Sequence, residues 1–261
     1  MKTNKGPKIL LLDIETAPII AYVWGLWENN VAINQIKSDW YVLSWSAKWL
    51  NDPPKKIMYA DQRNAKNIED DKEILKKMWK LLDEADIVIG QNSKAFDIKK
   101  LNARFIIHGM QPPSSYRQID TKVLAKKHFN FTSNKLEYLS DKLNVKYKKQ
   151  TKRKFNGFEM WKECLAGNKE AWKAMETYNK YDVLSLEELY LKLAPWGTGI
   201  NTNVYYPVDQ CSSCGHREFI SNGYRYTNTG KFSRIKCKNC GHEHIIPSNQ
   251  IDKDRKKAML R

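Results

Sequence analysis

Four carboxylates and a phenol stand out by type and spacing. Asp13 and Glu15 lie two residues apart at the end of the apolar run in KILLLDIE. On a strand, residues i and i+2 point to one face, so the two acids would share it. Asp97 closes the stretch GQNSKAFD, and Asp182 closes YNKYD with Tyr178 one helical turn before it. A buried ionised carboxylate is costly unless it is paired, hydrogen-bonded or bound to metal. Clustered acids without cations repel one another, and some stay protonated. Three or four such groups can hold two divalent ions ~3.5–4 Å apart, the arrangement of two-metal phosphodiester hydrolysis. One ion lowers the pKa of a water, the other stabilises the leaving oxygen, and a nearby phenol orients the water. Singly, the residues also have ordinary readings: a solvated strand end, a carboxylate at a helix N-terminus, a core aromatic, a surface charge. Taken together and in order, they point to metal chemistry.

A second constellation lies near the C-terminus. Cys211-x-x-Cys214 and Cys237-x-x-Cys240 are separated by 22 residues, and a Gly follows each pair, Gly215 and Gly241. Positive φ at such a Gly lets backbone N–H groups turn toward the thiolates. The pattern predicts a zinc ribbon holding one structural Zn²⁺, with His216, His242 and His244 as spare ligands. The other reading is a pair of disulfides, which a reducing compartment disfavours. A module this small lacks a sufficient core, and zinc contributes on the order of 10–16 kcal/mol to such folds. Arg217, Arg225, Lys231, Arg234, Lys236 and Lys238, interleaved with Tyr224, Tyr226 and Phe232, suit a nucleic-acid surface; docking of a partner protein is the competing use.

The elements that must position these residues read as alternating strands and helices, an α/β domain. ILLLDIE, 40–50 and 55–60 predict strands, 67–85 a helix, and 86–90 a short buried strand. A helix over 94–109 stops at Gly109. RQIDTKVLAKKHF reads as strand then helix, with Asp120 a helix cap rather than a fifth ligand. A further helix falls in NKLEYLSDKLN, and a long one over 167–194 is ended by Pro195. The aromatic-rich stretch between the first two strands has no assignable pattern. Residues 1–195 are expected to form the main domain, 196–208 a linker, 209–247 the ribbon and 248–261 a basic tail.

Formal net charge is +16, with 45 Lys+Arg against 29 Asp+Glu, which suggests a polyanionic partner, nucleic acid or an anionic membrane surface. No apolar run approaches the ~20 residues that span a bilayer, nor is there a signal-peptide core. The expectation is a cytoplasmic protein with no membrane association. Residues 142–155 carry seven positive charges and no acid. There Lys148, Lys149 and Arg153 are candidate substrate-binding residues, and Lys122, Lys126 and Lys127 extend the path. Such contacts are sequence-independent and salt-sensitive. Cys164 reads as a small buried hydrophobe. The tryptophans at 24, 27, 40, 45 and 49 read as core packing, with a base-stacking wall as the alternative.

Over residues 8–194 the motifs DIET (13–16), GQNSKAFD (90–97) and YNKYD (178–182) occur in series, and by them the chain resembles the DEDD superfamily of 3′–5′ exonucleases, in the subgroup with tyrosine. The spacing from Asn92 to Asp97 is similar to that in the exonuclease domain of family B DNA polymerases and in free-standing bacterial and phage relatives. The resemblance implies a ribonuclease H-like mixed sheet flanked by helices. It implies that Asp13, Glu15, Asp97 and Asp182 bind two Mg²⁺ or Mn²⁺, that Tyr178 positions the water, and that Thr16 and Asn92 contact the 3′-terminal nucleotide. Gln91 is assigned no role. Glu15, the second acid, favours an exonuclease over the endonucleases of this fold. DNA is preferred over RNA by resemblance alone. The 67 residues after Ala194 are too few for a polymerase, so a polymerase or recombination protein would be a separate partner, engaged through the ribbon. The resemblance thus implies a bacterial or phage-encoded enzyme of replication, repair or recombination. It would release nucleoside 5′-monophosphates. The rival readings are a non-catalytic nucleic-acid-binding adaptor and a structure-specific endonuclease.

Overall fold

The computed structural model describes residues 6–147 and 154–259. Lys148, Lys149 and Arg153 lie outside the described residues. Two compact units are present: one spans Lys8–Leu189, and the other combines the residues before Lys8 with those from Tyr190 onward.

In chain order the first unit contains β1 (Ile9–Thr16), β2 (Ile20–Ala21), β3 (Ile36–Ser38), β4 (Val42–Trp49), β5 (Met58–Asp61), α1 (Lys72–Glu84), β6 (Ile87–Gly90), α2 (Asp97–Ile107), β7 (Arg117–Asp120), α3 (Thr121–His128), α4 (Leu136–Lys142), α5 (Glu159–Leu165) and the start of α6 (Lys169–Leu193). A five-stranded mixed sheet runs β5-β4-β1-β6-β7. β4 is antiparallel to β1 and β5, while β6 is parallel to β1 and β7.

β1 is the central strand, and its alternation divides the core. Leu10, Leu12 and Ile14 pack on α1 and α2 through Ile74, Met78, Ile98 and Leu101. A second cluster joins Ala17, Tyr41 and Leu43 to Met160 and Cys164 of α5 and to Trp172 and Met175 of α6. The apolar spacing of α1 explains its register, since Ile74, Leu75, Met78 and Leu82 fall on one stripe and are buried. Gly109 at φ 68° ends α2, and its amide and that of Met110 cap the carbonyls of Ile106 and Phe105.

β1 outruns its parallel neighbour. The β1–β6 ladder covers Ile9 to Leu11, whereas the β1–β4 ladder continues to Thr16 with an irregularity between Glu15 and Thr16. The acidic end of β1 therefore projects past the end of β6, a place where bulges often re-aim side chains.

The stretch that the sequence left unassigned leaves β1 at Ala17 and returns at Tyr41, where the Ala17 amide donates to the Tyr41 carbonyl at 2.8 Å. β2 and β3 pair within it. Core packing of the tryptophans holds for Trp45, which is buried, but Trp24 and Trp27 are exposed. Apolar character alone does not tell which side chains a neighbouring element will cover.

The second unit carries β8 (Phe219–Thr227), β9 (Gly230–Cys237), β10 (Glu243–Asn249) and α7 (Lys253–Ala258). The strands form an antiparallel sheet in the order β10-β9-β8, with β8 and β9 joined through Asn228 and Thr229. Within 196–208 a 3-10 turn spans Thr202–Tyr205, capped by the Asn201 side chain on the Asn203 amide. Among the described residues no helix is long and apolar enough to cross a membrane.

Candidate functional site

Carboxylate oxygens of Asp13, Glu15 and Asp182 all lie within 4.8 Å of one another. Two come from the projecting end of β1 and the third from α6. Ser44 and Ser46, the β4 partners of Glu15 and Asp13, are small and buried.

Asp97 stands beside this trio. As the first residue of α2, it turns its Oδ1 onto the Ile14 amide at 3.1 Å, between the two acids of β1. It is buried, and burial pushes its carboxyl up to about 7. The amides of Ile14 and of Asp97 itself oppose the rise, and Asp120 adds to it. Asp13 is also pushed well above the usual carboxylate range. Burial is the largest cause, followed by the charges of Glu15, Asp97 and Asp182. Four acids so placed cannot all ionise without a countercharge. Their all-oxygen donor set suits a hard divalent cation such as Mg²⁺ or Mn²⁺.

Tyr178, one turn before Asp182 on α6, is partly buried with its ring against Trp161, centroids 6.0 Å apart. Burial, then the charges of Glu15, Asp182 and Asp13, push its phenol far above the ordinary tyrosine value, and it is hydrogen-bonded to Asp182. Beside these acids the phenol therefore keeps its proton and can donate it as a hydrogen bond.

Asn179 is a residue that the sequence reading missed. It is fully buried, and its Nδ2 donates to Asp13 Oδ2 at 2.5 Å and to the Asp13 carbonyl at 3.3 Å. Its own Oδ1 accepts from Ser44 Oγ at 3.4 Å. Asn179 thus fixes the Asp13 carboxylate against β1 and β4. The available signal was its place in YNKYD, on the helical face shared by residues three apart.

Asn92 sits in the loop between β6 and α2 at φ 64°, a conformation Asn tolerates better than most residues. Its amide donates to Asp120 Oδ1 at 2.9 Å, and its Oδ1 accepts from Lys122 Nζ at 3.2 Å. Asp120 caps α3, accepting from the Lys122 and Val123 amides. Gln91 is tied to Asn134 and Thr121. Thr16 ends β1 opposite Val42.

In the second unit the Sγ atoms of Cys211, Cys214, Cys237 and Cys240 lie within 4.8 Å of one another. The two halves repeat one geometry. Gly215 and Gly241 have φ of 74° and 76°. Their amides donate to the Cys211 and Cys237 carbonyls, whose own amides donate to the carbonyls of His216 and His242. Amides of Ser213, Cys214, His216 and His242 point at sulfurs, as expected where thiolates take up a cation. The two halves bring four sulfurs together as a candidate four-cysteine metal site. His244 Nε2 is 3.4 Å from Cys211 Sγ.

Residues 47–194 match the family model of the RNase H superfamily, and the chain belongs to it. The match begins in β4, so Asp13 and Glu15 precede it. Among solved structures, the family B DNA polymerase from the hyperthermophilic archaeon Pyrobaculum calidifontis is similar with a TM-score of 0.54 and 14% identity, covering 87% of this chain and 32% of the polymerase. The likeness is one of fold, and the chain spans about a third of the polymerase's length. No curated protein sequence matches the chain.

Proposed function

We propose that the chain is a metal-dependent 3′–5′ exonuclease that acts on DNA in preference to RNA and releases nucleoside 5′-monophosphates. The observation that carries the reading is the convergence of Asp13, Glu15 and Asp182 within 4.8 Å, with Asp97 and Tyr178 alongside. Asp13, Glu15, Asp97 and Asp182 would hold two Mg²⁺ or Mn²⁺. When bound, the ions supply Lewis acidity for the attacking water and neutralise the leaving oxygen. Asn179 and the Ile14 amide orient the acids. Tyr178 keeps its proton and offers it as a hydrogen bond, which aligns the water with the phosphorus. Thr16 and Asn92 would contact the terminal nucleotide, while Lys148, Lys149 and Arg153 would draw the strand toward the site. The RNase H fold and the net charge of +16 support a nucleic-acid substrate.

In this reading residues 1–195 are the nuclease domain, 196–208 a linker, 209–247 a zinc ribbon with one structural Zn²⁺, and 248–261 a basic tail. The ribbon would engage nucleic acid or a separate polymerase or recombination protein.

The test is digestion of 5′-labelled single-stranded DNA in Mg²⁺, beside Asp182→Ala and an EDTA control. A ladder shortening from the 3′ end, absent in both controls and absent on circular DNA, supports the proposal. Cleavage of circular DNA would make the chain an endonuclease. Binding without digestion of DNA or RNA, equal in wild type and variant, would make it an adaptor.

A further inference from the structure

The excursion between Ala17 and Tyr41 carries an unusual number of large apolar side chains exposed to water. Hydrogen bonds from some of its polar side chains brace the loop, although nearly all of residues 19–34 are exposed. Gln35 bridges the Ala32 amide at 2.8 Å and the Tyr22 carbonyl at 3.0 Å. Asn29 donates to the Gly25 carbonyl at 2.6 Å, and the Tyr22 amide donates to Gln35 at 2.9 Å. Its apolar groups face outward: Trp24 is fully exposed, Trp27 86%, and Leu26 and Ile33 88% each. A loop that ties down its own backbone while presenting large apolar side chains to water is built for a partner.

Its surroundings identify the partner. One end of the loop leaves β1 directly after Thr16, two residues past Glu15. At the other end, the Trp40 ring lies 3.5 Å from Lys100 Nζ, which is also 5.6 Å from the ring of Phe96. Phe96 is partly exposed and immediately precedes Asp97. The two ends thus join or pack on the elements that carry carboxylates of the site, β1 with Asp13 and Glu15 and the start of α2 with Asp97. Between Ile19 and Gln35 only Glu28 is charged, so the loop offers phosphates neither strong attraction nor repulsion. What it offers is ring faces. Aromatic rings stack on bases of any sequence, and apolar wedges part neighbouring bases.

We infer that the 17–41 loop is a stacking platform for unpaired bases at the 3′ end of single-stranded nucleic acid, with Trp24 and Trp27 as its principal rings. The inference rests on the exonuclease reading for its direction, since that reading puts a 3′ end at the carboxylates. Stacking takes no part in the chemistry, so it can be measured without turnover.

The experiment is fluorescence anisotropy of a labelled oligothymidylate with the full chain, in buffer freed of Mg²⁺ and Mn²⁺ but without a chelator. Trp24→Ala/Trp27→Ala, at exposed positions where truncation opens no cavity, is expected to weaken binding by about tenfold or more. The slope of log K against log salt should stay unchanged, because no phosphate contact is lost. Trp24→Phe/Trp27→Phe should recover most of the affinity, and Trp24→Leu/Trp27→Leu should not. Unaltered binding by the alanine variant, or leucine doing as well as phenylalanine, would overturn the platform. Loss of a wild-type dimer in the alanine variant with oligonucleotide binding intact would overturn it in favour of a second copy of the chain. The two readings fail separately. Tryptophan-dependent binding without digestion in Mg²⁺ would sink the exonuclease and leave the platform standing. Digestion by a chain whose binding ignores the tryptophans would do the reverse.

Discussion

The Asp120 carboxylate accepts the Asn92 backbone amide at 2.9 Å across 28 residues of sequence. The Lys94 amide reaches its other oxygen at 3.1 Å, while the Lys122 and Val123 amides complete the cap of α3. One buried acid therefore braces both the helix it caps and the loop that carries Asn92 toward Asp97. Asp120→Ala would orphan four amides at once. It is expected to lower stability by about 2–4 kcal/mol, read from the urea midpoint. Because the loop sets the start of α2, the Mg²⁺ concentration for half-maximal digestion should also rise. A stability loss with unchanged Mg²⁺ dependence would confine Asp120 to capping.

Asp97 gives a pH dependence with a definite sign. Its carboxyl is raised from 3.8 to about 7, chiefly by burial. Between those values the folded chain holds a proton that the unfolded chain has released. Stability attributable to this group is therefore greatest below pH ~4 and falls as pH rises toward 7. Asp97→Asn keeps an oxygen for the Ile14 amide without a charge. In EDTA the variant should match wild type near pH 4 and melt at a higher temperature at pH 8. Added Mg²⁺ should reverse that order by stabilising only wild type. Identical melting profiles for both proteins in EDTA would contradict this account of the site.

How far the sequence revealed this arrangement depends on the range of each relationship. Asp13 with Glu15, and Tyr178 with Asp182, are related by the strand period and the helix turn, so their shared faces were legible. The paired cysteines carry their geometry in their spacing, and the alternation of strands and helices gave the α/β class. Asn179 was not legible, because its function exists only once α6 lies on β1, 166 residues away in sequence. Asp120 was read as a cap from its neighbours, but its hold on Asn92 spans two strands of the sheet. The 17–41 loop failed for a different reason. Its residues look like core, and sequence patterning registers hydrophobicity without recording what covers it.

Tyr178→Phe should separate positioning from folding. The ring remains packed against Trp161, so the melting temperature should change little. What disappears is the hydroxyl that meets Asp182. If that hydroxyl aligns the attacking water, kcat falls by about 10²–10³ with KM nearly unchanged. The pH profile of the residual activity should keep its shape, because a phenol raised far above its ordinary value does not titrate in the working range. A profile that loses its alkaline limb in the variant would show instead that the tyrosine ionises during turnover.

The five cysteines should divide into four and one. Burial resists ionisation of Cys214, but the His216 amide, the Asn239 side chain and the neighbouring sulfurs bring its thiol down to about 7. A thiolate forms readily there, and a divalent ion binding it needs to displace few protons. Purified protein should therefore carry one zinc per chain, and Cys214→Ala should carry none. Stripping the metal with a strong chelator should unfold the small three-stranded sheet, since structural zinc provides on the order of 10–16 kcal/mol in such modules. A disulfide reagent should then titrate four thiols without denaturant. Cys164 is fully buried on α5, in one core cluster with Trp172 and Met175 of α6, with its thiol pushed up to about 12, chiefly by burial, and should react only after the first unit unfolds. Thiol counts before and after urea would measure the two unfolding events separately. Simultaneous release of all five on chelation would show that the RNase H unit depends on the zinc as well.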